Sequence, residues 1–229
     1  MNTRVERSEF GNHYEEWRQK RIQKILNIFG KDYFKQKLIL EVGCGYGDIG
    51  KYFREKEGAN VIFTEGRQEH LPIIADNNPG AQIIHLNHEN AWKVEFHDFP
   101  DKRFDAIIHF GLLYHLDNWK QDLECALEHS DLIILESEVA DSNEKIEHKL
   151  IDSNGYDQAI TDSRRSTRPS APYIESVFLE NGFSFIRYDD SDLNSYFHTY
   201  DWAVTESDKT KRWDQRGYRR FWVAKKETS

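Results

Sequence analysis

Glu41 stands two residues before three alternating glycines in the stretch Leu38-Ile39-Leu40-Glu41-Val42-Gly43-Cys44-Gly45-Tyr46-Gly47-Asp48. Here the chain brings a carboxylate and a bare backbone together. The apolar run lacks solvent-facing alternation and reads as a buried parallel strand. Glycines directly after such a strand let the backbone turn tightly and approach a ligand with no Cβ in the way. A helix over about residues 48–56 then aims its N-terminal amides at whatever lies over the turn. This is the nucleotide crevice of an open α/β sheet. The dinucleotide fingerprint G-x-G-x-x-G does not fit, because Asp48 falls where its third glycine would be, and the Gly-Lys-Ser/Thr ending of a phosphate loop is absent.

Glu65 is the second candidate. It ends an apolar run roughly twenty residues beyond the loop, where an acid can take both ribose hydroxyls of a nucleoside. An ionised carboxylate only accepts hydrogen bonds and can hold two vicinal donors at once; the other use of the position is a solvated strand end. Arg164, Arg165 and Arg168 lie in a long polar stretch and could clamp a carboxylate or phosphate. Tyr196, Tyr200 and Trp202 could stack on a sugar or ring, or both segments could simply cap the sheet. Glu136, Glu138 and Asp141 cluster after a fifth strand, but their spacing matches no metal motif, so a solvated acidic loop and no metal are expected.

The elements that must hold these residues alternate. A helical stripe over residues 13–29 carries Tyr14, Trp17, Arg21 or Ile22, Ile25, Leu26 and Phe29, and Gly30 closes it. Strands are expected over about 38–42, 60–64, 81–86, 103–110, 131–135, 183–188 and 218–224. Helices are expected over about 48–56, 68–77 and 119–129, and from a Ser170 cap to Leu179. Strict strand–helix alternation implies a parallel sheet with right-handed crossovers. Two segments, about 139–170 and 189–216, are polar or aromatic and irregular. The first is long enough to be a lid.

Two stretches carry a family resemblance. Glu41-x-Gly43-x-Gly45-x-Gly47 resembles motif I of the class I S-adenosylmethionine (SAM) dependent methyltransferases. Phe104-Asp105-Ala106-Ile107-Ile108-His109-Phe110-Gly111-Leu112-Leu113-Tyr114-His115-Leu116 resembles their motif IV. The resemblance implies a Rossmann-like, doubly wound, mainly parallel seven-stranded sheet whose last strand inserts antiparallel between the fifth and sixth. It implies SAM as cofactor, held by Glu41, Gly43, Cys44, Gly45, Gly47 and Glu65. Asn87 would line the adenine, with His88 or Glu89 sharing the role unless the three form an exposed polar turn, and His109 and Phe110 would contact the cofactor. His115 would border the transferred methyl, as a base or in a positioning role. The helix before the first strand would lid the crevice, with Tyr14 either packing that helix or meeting substrate.

On this reading the chain is a SAM-dependent methyltransferase acting on oxygen or nitrogen of a small-molecule acceptor, a sugar or another anionic or polar compound. Arg168-Pro169-Ser170 leading to Asn181-Gly182-Phe183 is similar to a passage of tRNA wobble-uridine alkyltransferases, which supplies a tRNA-modifying alternative. A non-catalytic SAM-binding partner subunit is the alternative of another class.

Composition bounds the rest. The 229 residues fit one domain with additions. A formal net charge of -9 and a pI of about 5.6 argue against general nucleic-acid or membrane-surface binding, without excluding a local basic patch. Cys44 and Cys125, the two cysteines, cannot build a disulfide framework and suggest a reducing compartment. No apolar run has membrane-span length and the start is no signal peptide, so a cytoplasmic protein is expected.

Overall fold

The computed structural model of the chain describes residues 12–90, 92, 103–146, 151–152, 165–196, 198–204 and 218–227. Strands β1 (Leu38–Val42), β2 (Asn60–Glu65), β3 (Gln82–His85), β4 (Ala106–Phe110) and β5 (Leu132–Glu138) run parallel. Two short strands, β6 (Ile151–Asp152) and β7 (Arg165–Ser166), pair with each other alone. The last two, β8 (Phe183–Tyr188) and β9 (Arg219–Lys226), complete the main sheet in the order β3-β2-β1-β4-β5-β9-β8, with β9 antiparallel to both neighbours. The helices are α1 (Asn12–Phe29), α2 (Asp48–Lys56), α3 (Leu71–Asn77), α4 (Trp119–His129) and α5 (Ala171–Glu180). Among the described residues no helix is long and apolar enough to cross a membrane.

Strand side chains alternate between faces, and that parity sorts the molecule. Ile39, Val61, Phe63, Ile108, Ile134, Phe221 and Val223 face one core with Ile25 of α1, Ile49 and Phe53 of α2 and Ile74 of α3. Leu40, Val42, Ile62, Ile107, Ile133, Leu135 and Trp222 face the other, with Leu123 of α4 and Val177 and Phe178 of α5. By the same count Glu41, Glu65, Phe110, Glu136, Glu138 and Arg219 belong to the first face, and Thr64 and His109 to the second.

At the end of β5 and at the start of α5 the structure differs from the sequence expectation. Glu136 and Glu138 are not in a loop after the fifth strand but inside β5, opposite Phe221 and Arg219 of β9; the antiparallel partner, distant in sequence, carries the ladder past Leu135. Ser170 precedes α5 but its hydroxyl does not cap it. It donates to Glu144 O at 2.6 Å and accepts from Ile146 N at 2.9 Å, tying the chain after β5 back to the start of α5.

Candidate active site

The three glycines after β1 have φ of 58°, 60° and 70°, a left-handed backbone at alternate residues that side chains other than glycine adopt at a cost. At Gly43 and Gly47 the space a side chain would take is filled by the protein itself. A Cβ on Gly43 would sit 2.9 Å from a methyl of Leu112, and one on Gly47 would sit 2.8 Å from Asn78 Nδ2. Cys44 N donates to Thr64 O at 2.9 Å and Gly45 N to Glu65 Oε2 at 2.8 Å, so the loop is pinned to the end of β2. Burial, then the charges of Glu41 and Glu65, hold the Cys44 thiol well above its usual range, so it is no thiolate nucleophile.

Glu41 points from β1 at the start of α2, where its Oε2 accepts from Gly50 N at 2.8 Å. Gly50 leaves room for it, since a Cβ there would lie 2.4 Å from that oxygen. Burial, with Asp48 and Glu65 nearby, pushes the Glu41 carboxyl up to about 8 despite the Gly50 amide. Glu65 behaves oppositely. Burial alone would raise it, but His70 and the amides of Arg67 and Gly45 hold it below the ordinary value. Each Glu65 oxygen accepts one backbone amide, from Gly45 at 2.8 Å and from Arg67 at 2.9 Å. A lone-pair direction remains on Oε2, while Oε1 also lies 3.7 Å from His70 Nδ1; an ionised carboxylate so placed can accept from a ribose hydroxyl. The site therefore fits the nucleoside the loop pattern predicts.

Other expected cofactor contacts are placed differently. His88 and His109 do not open onto a ligand: both are buried and both donate to Asp122 of α4 at 2.7 Å, beside Trp92 Nε1 at 2.6 Å. Burial opposes the Asp122 charge, but His88 and His109 hold its carboxyl far below the usual range. The other ring nitrogen of His88 lies 3.0 Å from Thr64 Oγ1, which accepts from Gly43 N at 3.3 Å. These residues form a polar strut from α4 to the glycine loop. Glu89 is also committed, accepting from Asp117 N and Asn118 N at the start of α4, where a carboxylate complements the helix dipole. Asn87 Oδ1 accepts from Glu89 N at 3.0 Å. Phe110 is a core side chain against Phe221.

The carboxyl end of β5 holds what the sequence did not announce. Glu136, fully buried, accepts from Arg21 of α1, from Arg219 of β9 at 3.0 and 3.1 Å, and from the Tyr200 hydroxyl at 2.7 Å. Glu138 pairs with Arg168 at 2.5 Å and Arg219 at 3.0 Å. Tyr200, expected to meet substrate, is thus a buried prop, its hydroxyl also bonded by Arg21. Arg168, expected on a mobile lid, is buried, since β5 supplies its counter-charge and Tyr114 O accepts from it. Arg164 lies outside the described residues, and Arg165 is placed by its backbone alone, in β7. Tyr14 remains half-buried, in edge contact with Trp17 and near His198. His115 stacks on Tyr114 after β4. Burial, then Arg168 and Arg219, push its pKa down to about 3. So weak a base contributes little proton abstraction at neutral pH, and of the two expected roles the surroundings favour the neutral positioning group. Among the described residues no three His, Cys, Asp or Glu side chains could hold a metal ion together.

A seven-stranded sheet in this order, with a carboxylate–glycine loop after β1 and a ribose-type acid ending β2, defines a class I methyltransferase fold. A family model for the methyltransferase domain matches residues 14–207, and the chain belongs to that family, whose methyl donor is SAM. The N-terminal domain of EvdMO1 with S-adenosylhomocysteine bound shares the fold at 16% identity and TM-score 0.62, over 92% of this chain and 81% of that one. A SAM-dependent methyltransferase from Mesorhizobium loti matches at 12% and 0.59, over 90% and 98%. Magnesium protoporphyrin IX methyltransferase from Synechocystis PCC 6803 with bound SAM matches at 12% and 0.58, over 96% and 89%. No curated protein sequence matches the chain.

Proposed function

We propose that the chain transfers the SAM methyl group to an oxygen or nitrogen atom of a small-molecule acceptor seated between α1 and the loop after β4. The observation that carries this is the approach of α1 to that loop. The Trp17 ring edge lies within 3.6–3.7 Å of the Cβ position of Gly111, while Gly43 of the cofactor loop packs on Leu112, the next residue. The two half-sites are therefore one residue apart along the chain. SAM supplies a methyl group on a sulfonium whose thioether leaves without acid assistance, and the proton displaced from the acceptor's hydroxyl or amino group passes to solvent. The chain's own part is positioning and exclusion of water: Glu65 holds the ribose, the glycine loop supplies the floor, and Tyr14, Trp17 and His198 form an aromatic wall. Such faces also steady positive charge. Neutral His115 can orient the acceptor from the loop. The net charge of -9 weighs against an RNA acceptor.

The test is transfer of labelled methyl from SAM to a panel of small hydroxy and amino compounds, with bulk tRNA in parallel. Label in a small molecule is expected. Label in tRNA alone would support the RNA alternative, and SAM binding without any transfer would favour the non-catalytic partner.

A further inference from the structure

Charge does not balance at the carboxyl end of β5. Among the described residues, the guanidiniums of Arg21, Arg168 and Arg219 meet the carboxylates of Glu136 and Glu138, three positive groups against two negative ones. Nearby cations have their own partners. Arg18 lies 3.2 Å from Glu15 and 3.5 Å from Asp48, Lys24 contacts Asp190 and Asp192, and Arg220 is 3.2 Å from Asp189. A buried surplus is costly because water is not there to screen it.

Hydrogen bonding is lopsided in the same sense. The Nε atoms of Arg21 and Arg219 and the indole Nε1 of Trp17 are buried without an acceptor; the three residues are 0%, 3% and 9% exposed. All three atoms are obligate donors. Among the described residues the cluster thus lacks acceptor oxygens and a negative charge. Around it Tyr14, Gly111, His115 and Glu138 are the partly exposed residues, and they lie beside the proposed acceptor position.

We infer that this cluster recognises a monoanionic carboxylate on the acceptor molecule, the one negative charge and the oxygen lone pairs that the three-to-two arrangement lacks. The inference rests on the methyltransferase reading only in naming the ligand as the acceptor. A phosphate monoester, with a charge of roughly -1.5 to -2 at neutral pH, would overshoot the surplus. A carboxylate matches it and suits the planar guanidinium fork.

The test is a thermal-shift titration of the full chain saturated with S-adenosylhomocysteine, at fixed ionic strength and neutral pH. The probes are acetate and benzoate, their neutral counterparts acetamide and benzamide, and inorganic phosphate. Saturable stabilisation by the carboxylates, at least tenfold weaker for the amides, is expected. Two variants then move the charge in opposite directions. Arg168→Gln makes the cluster neutral and should weaken carboxylate binding about tenfold, whereas Glu138→Gln raises the surplus and should tighten it several-fold. A purely structural network would leave the probes indistinguishable in the unaltered chain and would show no opposite response in the variants. Either result overturns the inference, as does stabilisation by phosphate without carboxylates. S-adenosylhomocysteine affinity is read on the same samples. If it is absent, the methyltransferase reading fails; if it is present while carboxylate and amide behave alike, this inference fails alone.

Discussion

The carboxyl ends of β1 and β2 and the carboxyl end of β5 lie on one edge of one sheet, yet they are built by opposite means. The first is mostly backbone: three left-handed glycines and main-chain amides on Glu65. The second is mostly side chains: guanidiniums from α1, from the segment before α5 and from β9 converging on Glu136 and Glu138. A backbone cradle serves any chain that binds the same nucleoside. A side-chain cluster can be rebuilt for each acceptor. On the proposed reading, the nucleoside meets mainly backbone and the acceptor mainly side chains along one sheet edge.

The comparison breaks most visibly at Glu136. Its replacement in Glu136→Gln strands Arg21 as a buried charge and leaves Arg219 with Glu138 alone, an expected loss of roughly 3–5 kcal/mol. For a chain of this size that is on the order of 10 °C in Tm, read by thermal unfolding. A shift of a degree or two would mean that the cluster is solvated and the contrast between the two ends is false.

A smaller effect sharpens the other side. The folded pKa of Glu41 is raised, so the folded state holds a proton that the unfolded chain releases near the ordinary carboxyl range. The stability this contributes is complete at low pH and is lost as pH rises towards about 8. Glu65, Asp122 and Glu138 are lowered and act in the opposite sense, their contributions being lost on acidification. Glu41→Gln keeps an acceptor for the Gly50 amide. Urea unfolding between about pH 5 and 8 should therefore show a flatter decline for the variant than for the unaltered chain. Parallel curves would remove Glu41 as the titrating group.

Local pattern carried the cofactor side. The apolar run, the alternating glycines and the acid ending β2 are contiguous signals, and they yielded the loop and the parallel strands around it, while the place of the last strand came from the family resemblance. Glu136, Glu138 and Arg219 were opaque because the resemblance placed the last strand beside the fifth without a register, and it is the register that sets Arg219 opposite Glu138. One local signal did exist: Arg21 interrupts the apolar stripe of α1 yet is fully buried, and a charge on an inward helical face demands a partner. Strand parity was a second, since Glu136 and Glu138 share the face of Ile134. His88 and His109 misled because both sit where ligand contacts are expected, and only the fold shows Asp122 of α4 taking them both.

The most direct measurement is an equilibrium titration of S-adenosylhomocysteine against the unaltered chain, Glu65→Ala and Arg168→Gln, with the unfolding temperature of each recorded. Glu65→Ala removes a carboxylate that two ribose hydroxyls need, at roughly 3 kcal/mol for two charge-assisted hydrogen bonds. Affinity should fall about 100-fold with little change in unfolding temperature, while Arg168→Gln should bind as the unaltered chain does. Equal affinity for a folded Glu65→Ala protein, or no binding by the unaltered chain, would contradict the placement of the cofactor at the ends of β1 and β2.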